Sequence, residues 1–216
     1  MNLRLRGWTR PLTVTLAVVT LGGALSACAP LIVGGAMVGG SLMYTDRRTS
    51  GAQVEDQAIE LKAGRRIADT LGDKVRVNAN SYNRLLLLTG EAASEADRAT
   101  AEQVAQRVEN VRSVMNEIAV MDGASLRTRS SDSIISGKVR ASLLDAKDLM
   151  SNAFKVVTER GTVYLMGRVS EREATRASEI ARSISGVMKV VRVFEVVPES
   201  EIAYPGSKTP APAAGS

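Results

Sequence analysis

The feature that most limits what this chain can fold into is an internal duplication: most of its length is written twice. One copy opens at Asp56-Gln57-Ala58-Ile59 and closes at Asn116-Glu117-Ile118-Ala119-Val120. The other opens at Asp132-Ser133-Ile134-Ile135 and closes at Arg192-Val193-Phe194-Glu195-Val196, with one extra residue in its middle. Ile59, Lys62, Ile67 and Asp69 match Ile135, Lys138, Leu143 and Asp145; Gly90 matches Gly167; Ala101, Val104, Ala105 and Val108 match Ala177, Ile180, Ala181 and Ile184. A duplication of this kind obliges both copies to adopt one fold.

Periodicity supplies that fold. Ile59/Ala63/Ile67 and Ile135/Val139/Leu143 recur every four residues, a helical spacing. Val75/Val77/Ala79 alternate with Arg76/Asn78/Asn80, as a half-buried strand should. A turn at Asn83-Arg84, or Arg160-Gly161, leads to a hydrophobic strand at 85–88 or 163–166, closed by Gly90 or Gly167. An amphipathic helix capped by Ser94 or Ser170 follows, and a last strand at 114–120 or 190–196 completes the unit. The order is helix-strand-strand-helix-strand, twice: an α+β chain in which each three-stranded sheet is covered by two helices. At about 65 residues a copy is small but able to close a core. Twin closed domains over 56–124 and 131–198, joined by a linker near 121–131, are therefore expected in preference to a solenoid.

The N-terminus points to export. The first 27 residues hold Arg4, Arg6 and Arg10 and no acid, and the apolar run over 12–25 is short of the roughly 20 residues a membrane-spanning helix needs. It ends at Leu25-Ser26-Ala27-Cys28, which resembles the lipobox of a lipoprotein signal peptide spanning 1–27. Small residues before the cut fit the peptidase, and the thiol after it accepts diacylglycerol. Cys28 is the single cysteine of the chain, so acylation explains a thiol that has no disulfide partner. Several acyl chains hold a protein on a bilayer far more firmly than one. Ala29 is not the Asp that retains lipoproteins in the inner membrane; by that sorting rule the expected home is the outer membrane, lipid-anchored on its periplasmic face. Residues 28–55, with Gly34-Gly35 and Gly39-Gly40, read as the acylated N-terminus and a flexible tether, about 28 residues that reach roughly 90–100 Å when fully extended. Residues 199–216 read as a disordered, Pro-rich tail.

Charge narrows the partners. The whole chain carries +5, but loss of the three leader arginines leaves 25 bases against 23 acids, a net of +2, which removes most of the case for nucleic acid. Over 56–120 there are 9 bases and 10 acids; over 132–197 there are 11 bases and 8 acids. Basic character is thus concentrated in the second copy. Catalysis finds little material: the chain has no histidine, and its one thiol is committed to acylation, so His-dependent triads and His-metal sites are excluded. No cofactor is expected.

The pattern Val163-Tyr164-Leu165-Met166-Gly167, a helix with spaced alanines, then Gly186-Val187-Met188-Lys189-Val190 through Val196, resembles the BON domain. The first copy departs in carrying Asn110-Val111 in place of Gly-Val. With the lipobox, the tether, the run at 47–53 and the run at 138–144, the chain is similar to the dual-BON-domain outer-membrane lipoproteins of Gram-negative bacteria. That resemblance implies no catalysis. It implies binding of anionic phospholipid (phosphatidylglycerol, cardiolipin), chiefly by the second domain, in support of outer-membrane integrity and of envelope protein assembly.

The residues that would carry lipid contact lie on the first helix of the second copy. Ile135, Val139 and Leu143 should face the core; Ile134 lies about 100° away, Lys138 one turn beyond it, and Arg140 and Leu144 on the far face. Exposed aliphatics beside cations suit shallow docking on a membrane. Ile134 packed against the linker or the other domain is the competing reading. The matching first-copy positions, Ala58 and Ala68, are smaller. Two other functions fit the same composition: a protein–protein adaptor of the envelope assembly machinery held to the membrane by its acyl chains alone, and a periplasmic stress holdase.

Overall fold

The computed structural model describes residues 46–121 and 126–202, with side chains from 130 onward in the second of these segments. Cys28 and the leader lie outside the described residues.

Helix α1 (Ser50–Leu71) begins where Thr49 accepts a hydrogen bond from the Ala52 N–H on its side-chain oxygen. It ends at Gly72, whose φ of 54° is one that a residue without Cβ adopts at low cost. Strands β1 (Val75–Tyr82) and β2 (Leu85–Ala92) pair antiparallel, helix α2 (Glu95–Gln106) crosses over, and β3 (Ser113–Val120) lies parallel to β2. The second copy repeats this with α3 (Leu126–Asp145), β4 (Phe154–Glu159), β5 (Thr162–Val169), α4 (Glu171–Ser183) and β6 (Lys189–Val196). Each sheet therefore runs in chain order with its middle strand at the centre.

The expected caps are present: Ser94 accepts from the Asp97 N–H, and Ser170 forms a reciprocal capping box with Glu173. Both hairpins turn through two residues of positive φ, Asn83 (49°) with Arg84 (68°) and Arg160 (49°) with Gly161 (70°), the geometry that suits the twist of the flanking strands.

Three sequence expectations need correction. The segment 28–55 was expected to be tether, yet α1 is helical from Ser50 and the residues just before it are pinned by ion pairs. The expected linker at 121–131 likewise gives way to helix from Leu126. Both extensions precede the repeating sequence, which opens at Asp56 and Asp132. Finally, Glu199 to Ile202, expected to belong to a disordered tail, are held in the fold. Glu199–Glu201 form a 3-10 turn, Ile202 is buried, and Arg168 and Arg172 pair with Glu201 and Glu199.

The copies are also not independent closed units. Leu86, Leu88 and Ile118 pack under α1 and α2 with Ile59, Ala63 and Ile67, while Val163 and Leu165 pack under α3 and α4 with Ile135, Val139 and Leu143. A third core joins Tyr82 and Leu87 of the first sheet to Tyr164, Met166 and Val193 of the second. The sheets thus meet face to face, with helices on both outer sides. An unbroken apolar strand is the mark of a sheet buried on both faces; Leu85-Leu86-Leu87-Leu88 and Val163-Tyr164-Leu165-Met166 are such runs.

The paired glycines are demanded by neighbouring backbone. A Cβ on Gly90, at φ 122°, would lie 1.9 Å from the Arg76 carbonyl oxygen, and one on Gly167 would lie 2.4 Å from that of Ala153. Gly90→Ala and Gly167→Ala are each expected to lower unfolding stability by about 2–3 kcal/mol, the left-handed strain at Gly90 adding to the clash. Urea denaturation at constant m-value checks this.

Candidate functional site

Helix α3 lies over the edge strand β4 with Ile135, Val139 and Leu143 in the core. Its outer surface carries Ile134, 60% exposed, and Leu144, 70% exposed, with Lys138 also in solvent. At 100° per residue, Ile134, Lys138 and Ala141 line the outward stripe, and Leu144 sits at its far end. Arg140 is placed differently. It is displaced toward β4, and its guanidinium donates to the Val156 carbonyl at 2.9 Å, so it also covers an open edge of the sheet.

Exposed aliphatics are not confined to the second copy. Helix α1 presents Val54, 66% exposed, and Leu61, 64% exposed, on its outward face. The comparison of Ala58 and Ala68 with their larger counterparts missed these, since the matching positions in α3 are Ser130 and Gly137. Charge separates the two helices. From Ser130 onward α3 carries the buried Asp132 and the exposed Asp145, whereas α1 carries Glu55 and Glu60 besides the matching Asp56 and Asp69.

Asp56 and Asp132 hold the hairpins. Asp56 accepts from the Asn83 and Arg84 N–H groups at 2.7 and 2.8 Å, from the Ser81 hydroxyl at 2.7 Å, and from the Arg48 guanidinium at 2.7 Å. Asp132 accepts from the Arg160 and Gly161 N–H groups, both at 2.8 Å. Burial works to raise the Asp56 carboxyl, but the bonds from Arg84, Ser81, Arg48 and Asn83 outweigh it and hold the group below the usual carboxylate range.

The segment leading into α1 is locked across both copies. Arg47 forks onto Glu173 at 2.7 and 2.8 Å and donates to the Arg168 carbonyl at 3.0 Å. Arg48 pairs with Asp46 and Asp56, its guanidinium 4.2 Å from the centre of the Tyr82 ring. Burial, then the Asp46 charge, pushes the Tyr82 hydroxyl up to about 12, so it stays a neutral donor to the Ala153 carbonyl. Sequence reasoning saw Arg47 and Arg48 only as part of a run resembling the family. A partner 126 residues away leaves no local signal.

Among the described residues no helix is long and apolar enough to cross a membrane, and no group of three His, Cys, Asp or Glu is placed to hold a metal.

A family model for the BON domain matches residues 55–122 and again 131–198. The outer membrane lipoprotein DolP of Haemophilus influenzae is 35% identical over 173 residues, covering 79% of this chain and 89% of that protein. A 21 kDa hemolysin of Actinobacillus pleuropneumoniae is 32% identical over 154 residues, 70% and 79% of the two chains. Osmotically-inducible protein Y of Escherichia coli is 30% identical over 146 residues, 65% and 72%. The chain belongs to the BON-domain family and is an outer-membrane lipoprotein with two tandem BON domains.

Proposed function

We propose that the protein is a non-catalytic, lipid-anchored binding protein of the periplasm, in which the second BON domain recognises anionic phospholipid and so supports outer-membrane integrity. The observation that carries this reading is the outward stripe of α3, where Ile134 and Leu144 stand exposed beside Lys138 and the one exposed acid from Ser130 onward is Asp145, at the end of the helix. Ile134 and Leu144 enter the interface shallowly, while Lys138 and Arg140 meet phosphates, each cation contributing about 1 kcal/mol near an anionic surface. Cys28 supplies the permanent anchor.

The test is flotation of an unacylated fragment, residues 45–216, which form one compact unit and retain Arg47 and Arg48. Vesicles of phosphatidylglycerol or cardiolipin are expected to carry it, phosphatidylcholine vesicles are not, and salt weakens the interaction. Lys138→Glu with Arg140→Glu is expected to cost at least about 2 kcal/mol, roughly 30-fold in affinity. Ile134→Ser with Leu144→Ser is expected to cost about tenfold. Unchanged binding by the charge-reversed, folded fragment overturns the reading.

A second reading rests on Val54 and Leu61, which give the less basic first domain an apolar stripe of its own. In that reading domain 1 meets a protein partner, such as the outer-membrane protein assembly machinery. A folded fragment that ignores every vesicle would put this adaptor role first.

A further inference from the structure

Lys155 of β4 and its counterpart Asn78 of β1 make different contacts across the two sheets. Through the strands the second copy runs one residue longer, so Asn78 matches Lys155 and Ser81 matches Thr158, while on the first helices Glu60 matches Ser136. On one side of the molecule Lys155 reaches from β4 across to α1 and β1. Its ammonium pairs with Glu60, which also accepts from the Ser81 N–H at 2.7 Å, and donates to the Ser81 carbonyl at 3.3 Å. That notch is filled by the chain itself.

On the other side the filling residues are absent. Asn78 is too short to replace lysine, and Ser136 is too short to replace glutamate. What is left is a cleft of about 300 Å³ lined by Arg76, Asn78, Asp132, Ser136, Thr158 and Glu159, with Ser133 at its rim. Its volume is at the lower end of the range of small-molecule sites. The carboxylates beneath it are not equally satisfied. Asp132 is used by the hairpin turn, and Glu91 is held by Arg76 at 2.8 Å and Arg160 at 3.3 Å. Glu159, its side chain 7% exposed, accepts from Asn78 at 3.2 Å and has Arg160 3.8 Å away.

We infer that this cleft is a binding site for a primary ammonium group, which takes the place that the Lys155 ammonium occupies in the matching notch. The group would donate to the Glu159 carboxylate, to the hydroxyls of Ser136 and Thr158, and to the Thr158 carbonyl, the counterpart of the Ser81 carbonyl. Burial, aided by the Glu91 charge and opposed by the bond from Asn78, holds the Glu159 carboxyl above its ordinary range. A cation at this point relieves that cost. The ammonium can belong to a free amine or to an ethanolamine lipid headgroup. The inference stands apart from the α3 stripe and from its preference for anionic lipid.

The test uses the full acylated chain in non-ionic micelles, titrated with ethanolamine and putrescine by ligand-observed NMR, with choline as the comparison that lacks N–H donors. Saturable binding of the primary amines is expected, at least tenfold tighter than choline. Glu159→Gln is expected to weaken it at least tenfold. Asn78→Lys with Ser136→Glu, which rebuilds the filled notch, is expected to abolish it without loss of fold. Absence of saturable binding, or equal binding by both variants, overturns the inference. Vesicles identify the source. Retention on phosphatidylethanolamine over phosphatidylcholine that disappears in Asn78→Lys/Ser136→Glu assigns the headgroup; amine binding without that difference assigns a free amine.

Discussion

Asp56→Ala is expected to destabilise the folded unit by about 3–5 kcal/mol, on the order of a 10 °C fall in melting temperature. The loss is large because one buried carboxylate satisfies four donors. Without it, the buried Ser81 hydroxyl and two backbone N–H groups of the turn lose their partner, and the Arg48 guanidinium keeps Asp46 alone. That turn already carries strain, since Asn83 and Arg84 both sit at positive φ without being glycine. Asp132→Ala should cost less, about 2–3 kcal/mol, because Asp132 serves the two turn amides and one of its turn residues is Gly161. The effect also has a pH signature. Asp56 is held below the usual range in the folded chain, so the folded state binds its proton less tightly than the unfolded one. Its contribution is complete above the unfolded value of roughly 4 and disappears as the pH falls through the lower folded value. Urea unfolding of the native chain and of Asp56→Asn at pH 7, 5, 4 and 3 should show the gap between them closing toward pH 3. A gap that stays constant across that series rules out the carboxylate as the source.

Glu173→Ala is the second large effect, again about 3–5 kcal/mol, since it leaves the largely buried Arg47 guanidinium without its forked partner. It also removes half of the capping box that starts α4. Loss of stability alone does not distinguish this ion pair from any other buried residue; release of the leading segment does. Arg47 and Arg48 are both engaged in the native chain, so trypsin should cut there slowly, and Glu173→Ala should raise that rate by an order of magnitude under conditions where the rest of the unit is still folded. Arg47→Met with Glu173→Met removes both charges together and should recover much of the lost stability. If it does not, the capping box rather than the ion pair carries the effect.

Much of this architecture was legible beforehand, because the duplication let each local signal be read twice. Ser94 and Ser170 cap their helices, Gly90 and Gly167 sit under an adjoining strand, and the turns fall where Asn83-Arg84 and Arg160-Gly161 placed them. The α3 stripe was legible for the same reason, as helical spacing separates Ile134 from Ile135. Legibility stopped where interactions are distant or lack a compositional mark. Val54 and Leu61 lie on turns whose counterparts in α3 are Ser130 and Gly137, so alignment concealed them. Arg47 and Glu173 show nothing of each other in sequence. The second apolar face of Leu87 and Tyr164 was written in the unbroken strands, but an unbroken strand does not say what will cover it.

That shared face changes what the short connection between the copies does. Either half alone would leave Tyr82 and Leu87, or Tyr164, Met166 and Val193, facing water, and its simplest cover would be another half like itself. In this chain the cover is always supplied. The connection sets the local concentration of one half about the other, so their association does not depend on how many molecules populate the membrane surface, and a protein thinly scattered there keeps both halves of its seam.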